Sequence, residues 1–86
     1  MPHTPLSPTE QAVLRALLSA DGRVVSRATI ARDCGLGHLS ARRADSVVAA
    51  LRRRLGSDAL VTVRQRGWML TVIGAELARS MLPPSL

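Results

Sequence analysis

The sequence is poor in several residue types that carry binding and catalytic chemistry. Its 86 residues include no phenylalanine or tyrosine, one tryptophan and one cysteine. Lysine is absent as well, so all twelve lysine-or-arginine positions are arginine. A single cysteine excludes an intramolecular disulfide framework and fits a reducing compartment. With Trp68 as its only aromatic residue, the chain lacks the stacking platforms that RNA and single-strand binders use.

Long apolar runs are missing as well. No stretch approaches the roughly 20 apolar residues that span a bilayer, and residues 1–5 lack the charged start and apolar run of a secretory signal. We therefore expect a cytoplasmic protein with no membrane partner. A chain of this length forms one small domain, which argues against an elaborate active site.

Groups suited to catalysis or metal binding are too few to form a site. The two histidines and six acidic residues show no convergent pattern. Cys34 and His38 together supply only two of the three or four ligands that a zinc site needs. We therefore expect no enzyme activity, no catalytic residue, no cofactor and no metal, and we interpret Cys34 as an inert, half-buried thiol.

Positive charge is abundant and concentrated in one part of the chain. Residues 42–66 carry seven arginines against two aspartates, a balance of +5 within a total formal charge of +6. The seven are Arg42, Arg43, Arg52, Arg53, Arg54, Arg64 and Arg66. A guanidinium is a planar fork suited to phosphate, although a genome biased toward arginine codons would produce the same composition. The concentration of charge makes nucleic-acid binding the first hypothesis.

Local capping signals predict three helices. The segment Ser7–Glu10 predicts a capping box, with Ser7 as the cap and a proline in the first turn, for a helix that ends near Ala20. Ser26 caps a second, shorter helix over 27–33, after a few extended residues at 23–25. Ser40 caps the longest helix, over 41–55, which Gly56 ends.

The longest helix has two distinct faces. Its core face is predicted to comprise Ala44, Val47, Val48, Leu51 and Leu55. The opposite stripe holds small residues bracketed by arginines, namely Arg42, Ser46, Ala49 and Arg53, with Arg43 and Ala50 beside it. Small side chains would let the helix backbone approach a groove floor while the arginines reach the phosphates. The alternative interpretation is an ordinary solvated face.

A β-hairpin follows the basic helix. Strands are predicted over 60–64 and 68–72, joined by a turn in which Gly67 takes a positive φ. With a period of two, Val61 and Val63 face the core and Arg64 projects outward beside the tip residue Arg66. A basic helix followed by a basic hairpin suits DNA, because the helix fits the major groove and the hairpin reaches the neighbouring minor groove.

The C-terminal part carries a weaker signal. Residues 75–82 predict two turns of helix that Pro83-Pro84 would end, with one apolar side formed by Leu77, Ala78, Met81 and Leu82. The predicted organisation is a loose N-terminal segment over 1–5, a winged-helix domain over 6–72 and a C-terminal extension over 73–86. The expected fold class is mainly α with a small β-hairpin, a winged helix-turn-helix.

Four segments in order resemble the DNA-binding domain of the OmpR/PhoB type. The segments are Leu6–Glu10 followed by Val13-Leu14, Gly22–Arg27, Ala44–Leu55 and Val61–Trp68. They are similar to the family's L-T-x-x-E, G-x-V-V-S-R, V-D-x-x-I-x-x-L-R-x-K-L and T-V-R-G-x-G-Y patterns. The resemblance covers about Leu6 to Leu70, most of the chain. Gln65 stands where the family usually has its first wing glycine, and Trp68 matches a core aromatic.

The resemblance implies sequence-specific binding of double-stranded DNA as a bacterial transcriptional regulator, a response regulator effector domain. It places the third helix in the major groove and the wing over 61–71 at the minor groove. Val47 and Ala50 stand where many members carry histidine and a long polar or basic residue. The candidate DNA contacts are therefore Arg42, Arg43, Ser46, Val47, Ala50, Arg52, Arg53, Arg64 and Arg66.

The expected partners are double-stranded DNA, a second copy of the chain on DNA and RNA polymerase. A competing hypothesis is a protein-interaction or dimerisation module, or an appended domain of a larger regulatory or enzyme chain, favoured by the apolar tail around Leu77. Since no receiver domain precedes the module, the chain is expected to be either a stand-alone module or a piece of a longer protein.

Overall fold

The computed structural model describes residues 6–33 and 41–82, with only the backbone described for 41 and 42. Cys34, His38 and the expected cap Ser40 lie outside the described residues. The elements follow one another as α1 (Pro8–Ser19), α2 (Arg27–Asp33), α3 (Ala41–Leu55), β1 (Leu60–Val63), β2 (Gly67–Leu70) and α4 (Val72–Met81). Three helices followed by an antiparallel hairpin confirm the predicted winged helix-turn-helix class.

The first helix begins at the predicted capping box. The Ser7 backbone N–H donates to Glu10 Oε1 at 2.8 Å, and the Glu10 N–H donates to Ser7 Oγ at 3.1 Å. Pro8 occupies the first turn, where its missing N–H costs nothing. Such a cap contributes about 1 kcal/mol to helix stability, so this local sequence determines where α1 starts.

The second and third helices also confirm their predicted bounds. Ser26 Oγ accepts a hydrogen bond from the Thr29 N–H at 3.1 Å, which caps α2. At the end of α3, Gly56 has a φ of 103° and its N–H donates to the Arg52 carbonyl at 2.8 Å. Glycine adopts this positive φ without the steric penalty that a Cβ would add.

One hydrophobic core lies among α1, α2, α3, the hairpin and α4. Its largest fully buried side chains are Leu14, Leu17, Ile30, Leu51, Leu60, Leu70 and Val13. All five residues predicted for the core face of α3 are buried, at 8% exposure or less. None of the helices in the described ranges combines the length and apolar character that crossing a bilayer needs.

The hairpin faces the core with a different set of residues from those predicted. Leu60 pairs with Leu70 and both are fully buried, whereas Val61 and Val63 are half-buried on the other side of the ribbon. The prediction that the two valines face the core is therefore wrong. The strands are also shorter than the predicted 60–64 and 68–72. The pattern of apolar residues did not decide the face, because both faces of the ribbon carry apolar side chains.

The segment before α2 is attached to the hairpin. The Val25 N–H donates to the Trp68 carbonyl at 2.7 Å, and the Trp68 N–H donates to the Val25 carbonyl at 3.0 Å. This antiparallel bridge extends the two-stranded sheet by one residue pair. It fixes the hairpin relative to α2, which is the structural basis for a wing of defined orientation.

The C-terminal helix α4 starts three residues earlier than predicted. Thr71 caps it, since Thr71 Oγ1 accepts from the Gly74 N–H at 3.1 Å, and the predicted second strand does not continue to Val72. Ala78 is fully buried, and Met81 and Leu82 are partly buried against the core. Leu77, from the same predicted apolar side, is 38% exposed. Pro83-Pro84 lies outside the described residues.

Candidate nucleic-acid interface

Helix α3 presents a polar and cationic face opposite its buried face. Arg43, Ser46, Ala49, Arg52 and Arg53 are exposed, and Ala50 is half-buried. Because the core residues recur at helical spacing, the remaining positions are left on the outer side of the helix. The predicted stripe of small residues between arginines is therefore solvent-facing along the described part of α3.

Two of the predicted contact residues are not among the exposed side chains that the structure describes. Val47 is only 7% exposed and belongs to the core, so the structure corrects its place among the candidate contacts. Its apolar side chain packs inward because position 47 lies next to Val48 and one turn from Leu51. The side chain of Arg42 lies outside the described residues, and its contact with DNA stays a prediction from the sequence.

The three consecutive arginines at the end of α3 do not share one role. All three are exposed, but the Arg54 side chain is turned toward α1, with its Nε 3.9 Å from Glu10 Oε2. Cations in the last turn of a helix also interact favourably with the partial negative charge there. Part of this cluster therefore stabilises the helix end, and Arg54 connects α3 with the capping box of α1.

The wing tip exposes the other predicted cations. Arg64, Gln65 and Arg66 form the turn, in which the Arg66 N–H donates to the Val63 carbonyl at 2.9 Å. Gln65 has a φ of 65°, so it adopts the left-handed conformation that glycine adopts more easily. The turn therefore keeps a tight shape without glycine at position 65, and both arginines remain exposed at the tip.

A groove between α3 and the hairpin brings the helix and the wing together. Arg52, Arg53 and Ala49 line it from α3, while Thr62 and Trp68 line it from the hairpin. A second hollow, at the wing tip, is lined by Arg66, Gln65 and residues 26–28 at the start of α2. The surface thus joins cations of the helix, the wing and the start of α2.

Sequence reasoning missed one residue at this junction. Arg27 lines both hollows, and its Nε donates to Asp45 Oδ1 at 2.8 Å. The Arg27 Cζ also lies 5.4 Å from the centroid of the Trp68 ring, within the range of a cation–π contact. The sequence signals were an arginine beside a helix cap and the only aromatic residue of the chain, but their contact spans 41 positions and is not visible in local patterns.

Comparison with known proteins identifies one family. The family model described as transcriptional regulatory protein, C terminal, matches residues 2–70, which covers the capping box, α1 to α3 and the hairpin. Helix α4 follows the matched region. Neither the curated proteins nor the solved structures contain a significant match to the chain.

Proposed function

We propose that this chain, which belongs to the family of C-terminal domains of transcriptional regulatory proteins, binds double-stranded DNA in a sequence-specific manner. Such domains bind DNA as parts of transcriptional regulators, and the family is regulatory and not catalytic. The observation that carries the proposal is the outer face of α3. There, exposed Arg43 and Arg53 bracket the small residues Ser46, Ala49 and Ala50.

In the proposed complex, α3 lies in the major groove and the wing at the minor groove. The short side chains of Ser46 and Ala49 allow the helix backbone close to the base edges, while the arginines bind phosphates on either side. At the wing tip, Arg64 and Arg66 are exposed and cationic. Guanidinium groups are attracted to the strong negative potential of narrow, A·T-rich minor grooves.

Three further features of the proposal follow from DNA binding. The chain acts in the bacterial cytoplasm, where its DNA is. A second copy binds the adjacent half-site, as is usual for helix-turn-helix proteins that read repeated sites. RNA polymerase is a partner through which a bound regulator changes transcription. These three rest on the family and on the expectations from the sequence.

The first prediction is a steep dependence of DNA affinity on salt. Arg43, Arg52, Arg53, Arg64 and Arg66 neutralise about five phosphates in the proposed complex, so log affinity falls against log salt with a slope of roughly −4 to −5. Fluorescence anisotropy with a labelled duplex, selected from a random pool, measures this slope. Arg53→Ala should make the slope shallower by about one unit.

A matched control lies on α4. Arg79 is exposed and carries the same charge, but α4 is not part of the proposed interface, so Arg79→Ala should leave the slope unchanged. A slope near zero for the parent, or equal slopes for the parent and Arg53→Ala, would contradict the proposed contacts. No measurable binding to any duplex would favour the second candidate function.

The second candidate is a protein-interaction or dimerisation module. The observation that favours it is a set of apolar side chains at the start of α4, where Val72 is 78%, Ile73 58% and Leu77 38% exposed. Exposed apolar patches of this kind mark contact surfaces in many proteins. The patch differs from the predicted one, since Met81 and Leu82 pack on the core of the same chain. We give DNA binding precedence because the family match covers the helix and the wing.

A further inference from the structure

Arg27 lies where α2, α3 and the hairpin meet. It is the first residue of α2, its ion-pair partner Asp45 is on α3, and the ring it faces, Trp68, is on β2. The Nε–Oδ1 distance of 2.8 Å is that of a charge-assisted hydrogen bond. One side chain therefore contacts both of the elements that carry the proposed DNA contacts.

Both partners of Arg27 are held in place by other contacts. Trp68 is 6% exposed and its backbone is paired with Val25, so its ring is a fixed surface. Asp45 lies between buried Ala44 and the exposed candidate contact Ser46. A displacement of α3 relative to the hairpin would have to break either the ion pair or the contact with the ring.

Folding stability alone does not explain the contacts of Arg27 with Asp45 and Trp68. The Arg27 and Asp45 side chains are 52% and 46% exposed, and ion pairs with this exposure contribute little to folding. The core beneath them consists of apolar residues, and no polar or charged side chain is buried in the described part of the chain. What the arrangement does is connect the start of α2 with both α3 and the hairpin.

We infer that Arg27 is a positioning residue that holds α3 and the wing at the spacing at which both contact one duplex. This inference rests on the proposed DNA binding. Arg27 does not itself need to contact DNA in this arrangement, because it acts through Asp45 and Trp68. The wing's share of the affinity then depends on the Arg27 contacts as well as on Arg64 and Arg66.

The test measures that share directly. Affinity is compared between a duplex long enough to reach the wing and a truncated duplex that ends before it, and the ratio of the two is the wing's contribution. Arg27→Ala removes both the ion pair and the contact with the Trp68 ring, and Asp45→Asn removes the ion pair alone. Because each contact is modest in energy, each variant should reduce this ratio by roughly threefold to tenfold. Arg27→Lys, which keeps a cation between the carboxylate and the ring, should restore most of the ratio.

The Asp45→Asn variant separates positioning from direct phosphate binding. If Arg27 were simply a phosphate contact, removing Asp45's charge would free the guanidinium and strengthen binding to both duplexes without lowering their ratio, which would overturn the inference. Arg32→Ala is the matched control, because Arg32 is also on α2 and also pairs with an aspartate, Asp33, at 3.2 Å. It should keep the parent's ratio.

A double-variant measurement completes the test. In a background of Arg64→Ala with Arg66→Ala, Arg27→Ala should cause almost no further loss of the ratio, because the wing no longer contributes. A full additional loss would overturn the inference, and so would a parent whose two duplexes bind equally. Failure of the proposed function is a different result, in which the parent binds neither duplex, and the inference then fails with it.

A readout without DNA checks the contact itself. Trp68 is the only tryptophan, so fluorescence emission and acrylamide quenching report on its ring alone. Arg27→Ala should shift the emission and increase quenching, because the guanidinium covers part of the ring, and Arg32→Ala should do neither. Unchanged emission and quenching in Arg27→Ala would show that the two groups do not meet in solution and would overturn the inference.

Discussion

At the scale of single residues, backbone geometry at the wing is decided by two neighbours of Arg66. Gln65 has a φ of 65° and Gly67 a φ of 143°, both positive. The two differ in their surroundings, because Gln65 is exposed while Gly67 lies directly against the Val25 and Ser26 backbone. A Cβ on Gly67 would overlap the Val25 carbonyl oxygen. Glycine at position 67 is therefore required by the attachment of the hairpin as well as by φ.

This geometry predicts that Gly67→Ala is far more damaging than Gly56→Ala. Gly56 also has a positive φ, of 103°, but a Cβ there would meet nothing within 4 Å. Gly56→Ala should cost about 1 kcal/mol for backbone strain alone. Gly67→Ala should cost about 3 kcal/mol, because the hairpin must also separate from Val25. Urea denaturation monitored by circular dichroism measures both, and equal losses would refute the close approach.

At the scale of elements, helix α3 divides its residues between two tasks. Five apolar residues anchor it to the core and are at most 8% exposed, while Ser46, Ala49 and three of its arginines face solvent, namely Arg43, Arg52 and Arg53. The two sets are separate, except that Val47 belongs to the core although the family resemblance suggested a contact. A substitution on the outer face should therefore change binding without unfolding the domain.

Ser46→Glu tests this separation. A carboxylate at an exposed position in the middle of the proposed interface would face the phosphates, and like-charge juxtaposition is strongly unfavourable. We expect at least about a tenfold loss of duplex affinity with an unchanged melting temperature. Ser80→Glu on α4 makes the same charge change away from the interface and should retain nearly all affinity. Equal affinities for the two variants would argue against α3 as the DNA-contacting element.

At the scale of the whole molecule, α4 closes the core beside the end of α3. The Thr71 N–H donates to the Ala59 carbonyl at 3.0 Å, and Thr71 Oγ1 donates to the Asp58 carbonyl at 2.8 Å. Gly74 is buried against the Ala59 backbone. The helix is therefore attached to the segment between α3 and β1 and is part of the packed unit, although the sequence-based domain boundary at 72/73 falls within its first turn.

The packing of α4 predicts that Gly74→Ala lowers the free energy of unfolding, although the same change usually stabilises a helix. Alanine in place of glycine inside a helix normally stabilises it by about 1 kcal/mol. A Cβ on Gly74 would overlap the Ala59 carbonyl oxygen, so α4 must shift away from the core. We expect a net destabilisation of about 2 kcal/mol, measured by thermal unfolding. A raised melting temperature would show that α4 does not pack as described.

The sequence by itself determined the first three helices and their ends. Ser7, Ser26 and Gly56 act on backbone groups within four residues of themselves, so their effects can be recognised from local patterns. The periodic apolar residues of α3 likewise determined its buried face, because one helix has one core-facing side. The order of three helices and a hairpin indicated the winged-helix class, and the concentration of positive charge is read directly from the sequence.

Only the tertiary structure decided the face of the hairpin, the extent of α4 and the contacts of the arginines. Leu60 and not Val61 is fully buried because the bridge to Val25 and the packing on α3 orient the ribbon, and both of its faces carry apolar residues. Arg54 meets Glu10, and Arg27 meets Asp45 and Trp68, across separations of 18 to 44 positions. Capping and helical periodicity are properties of neighbours along the chain, whereas an ion pair or a ring contact exists only once distant segments have packed together.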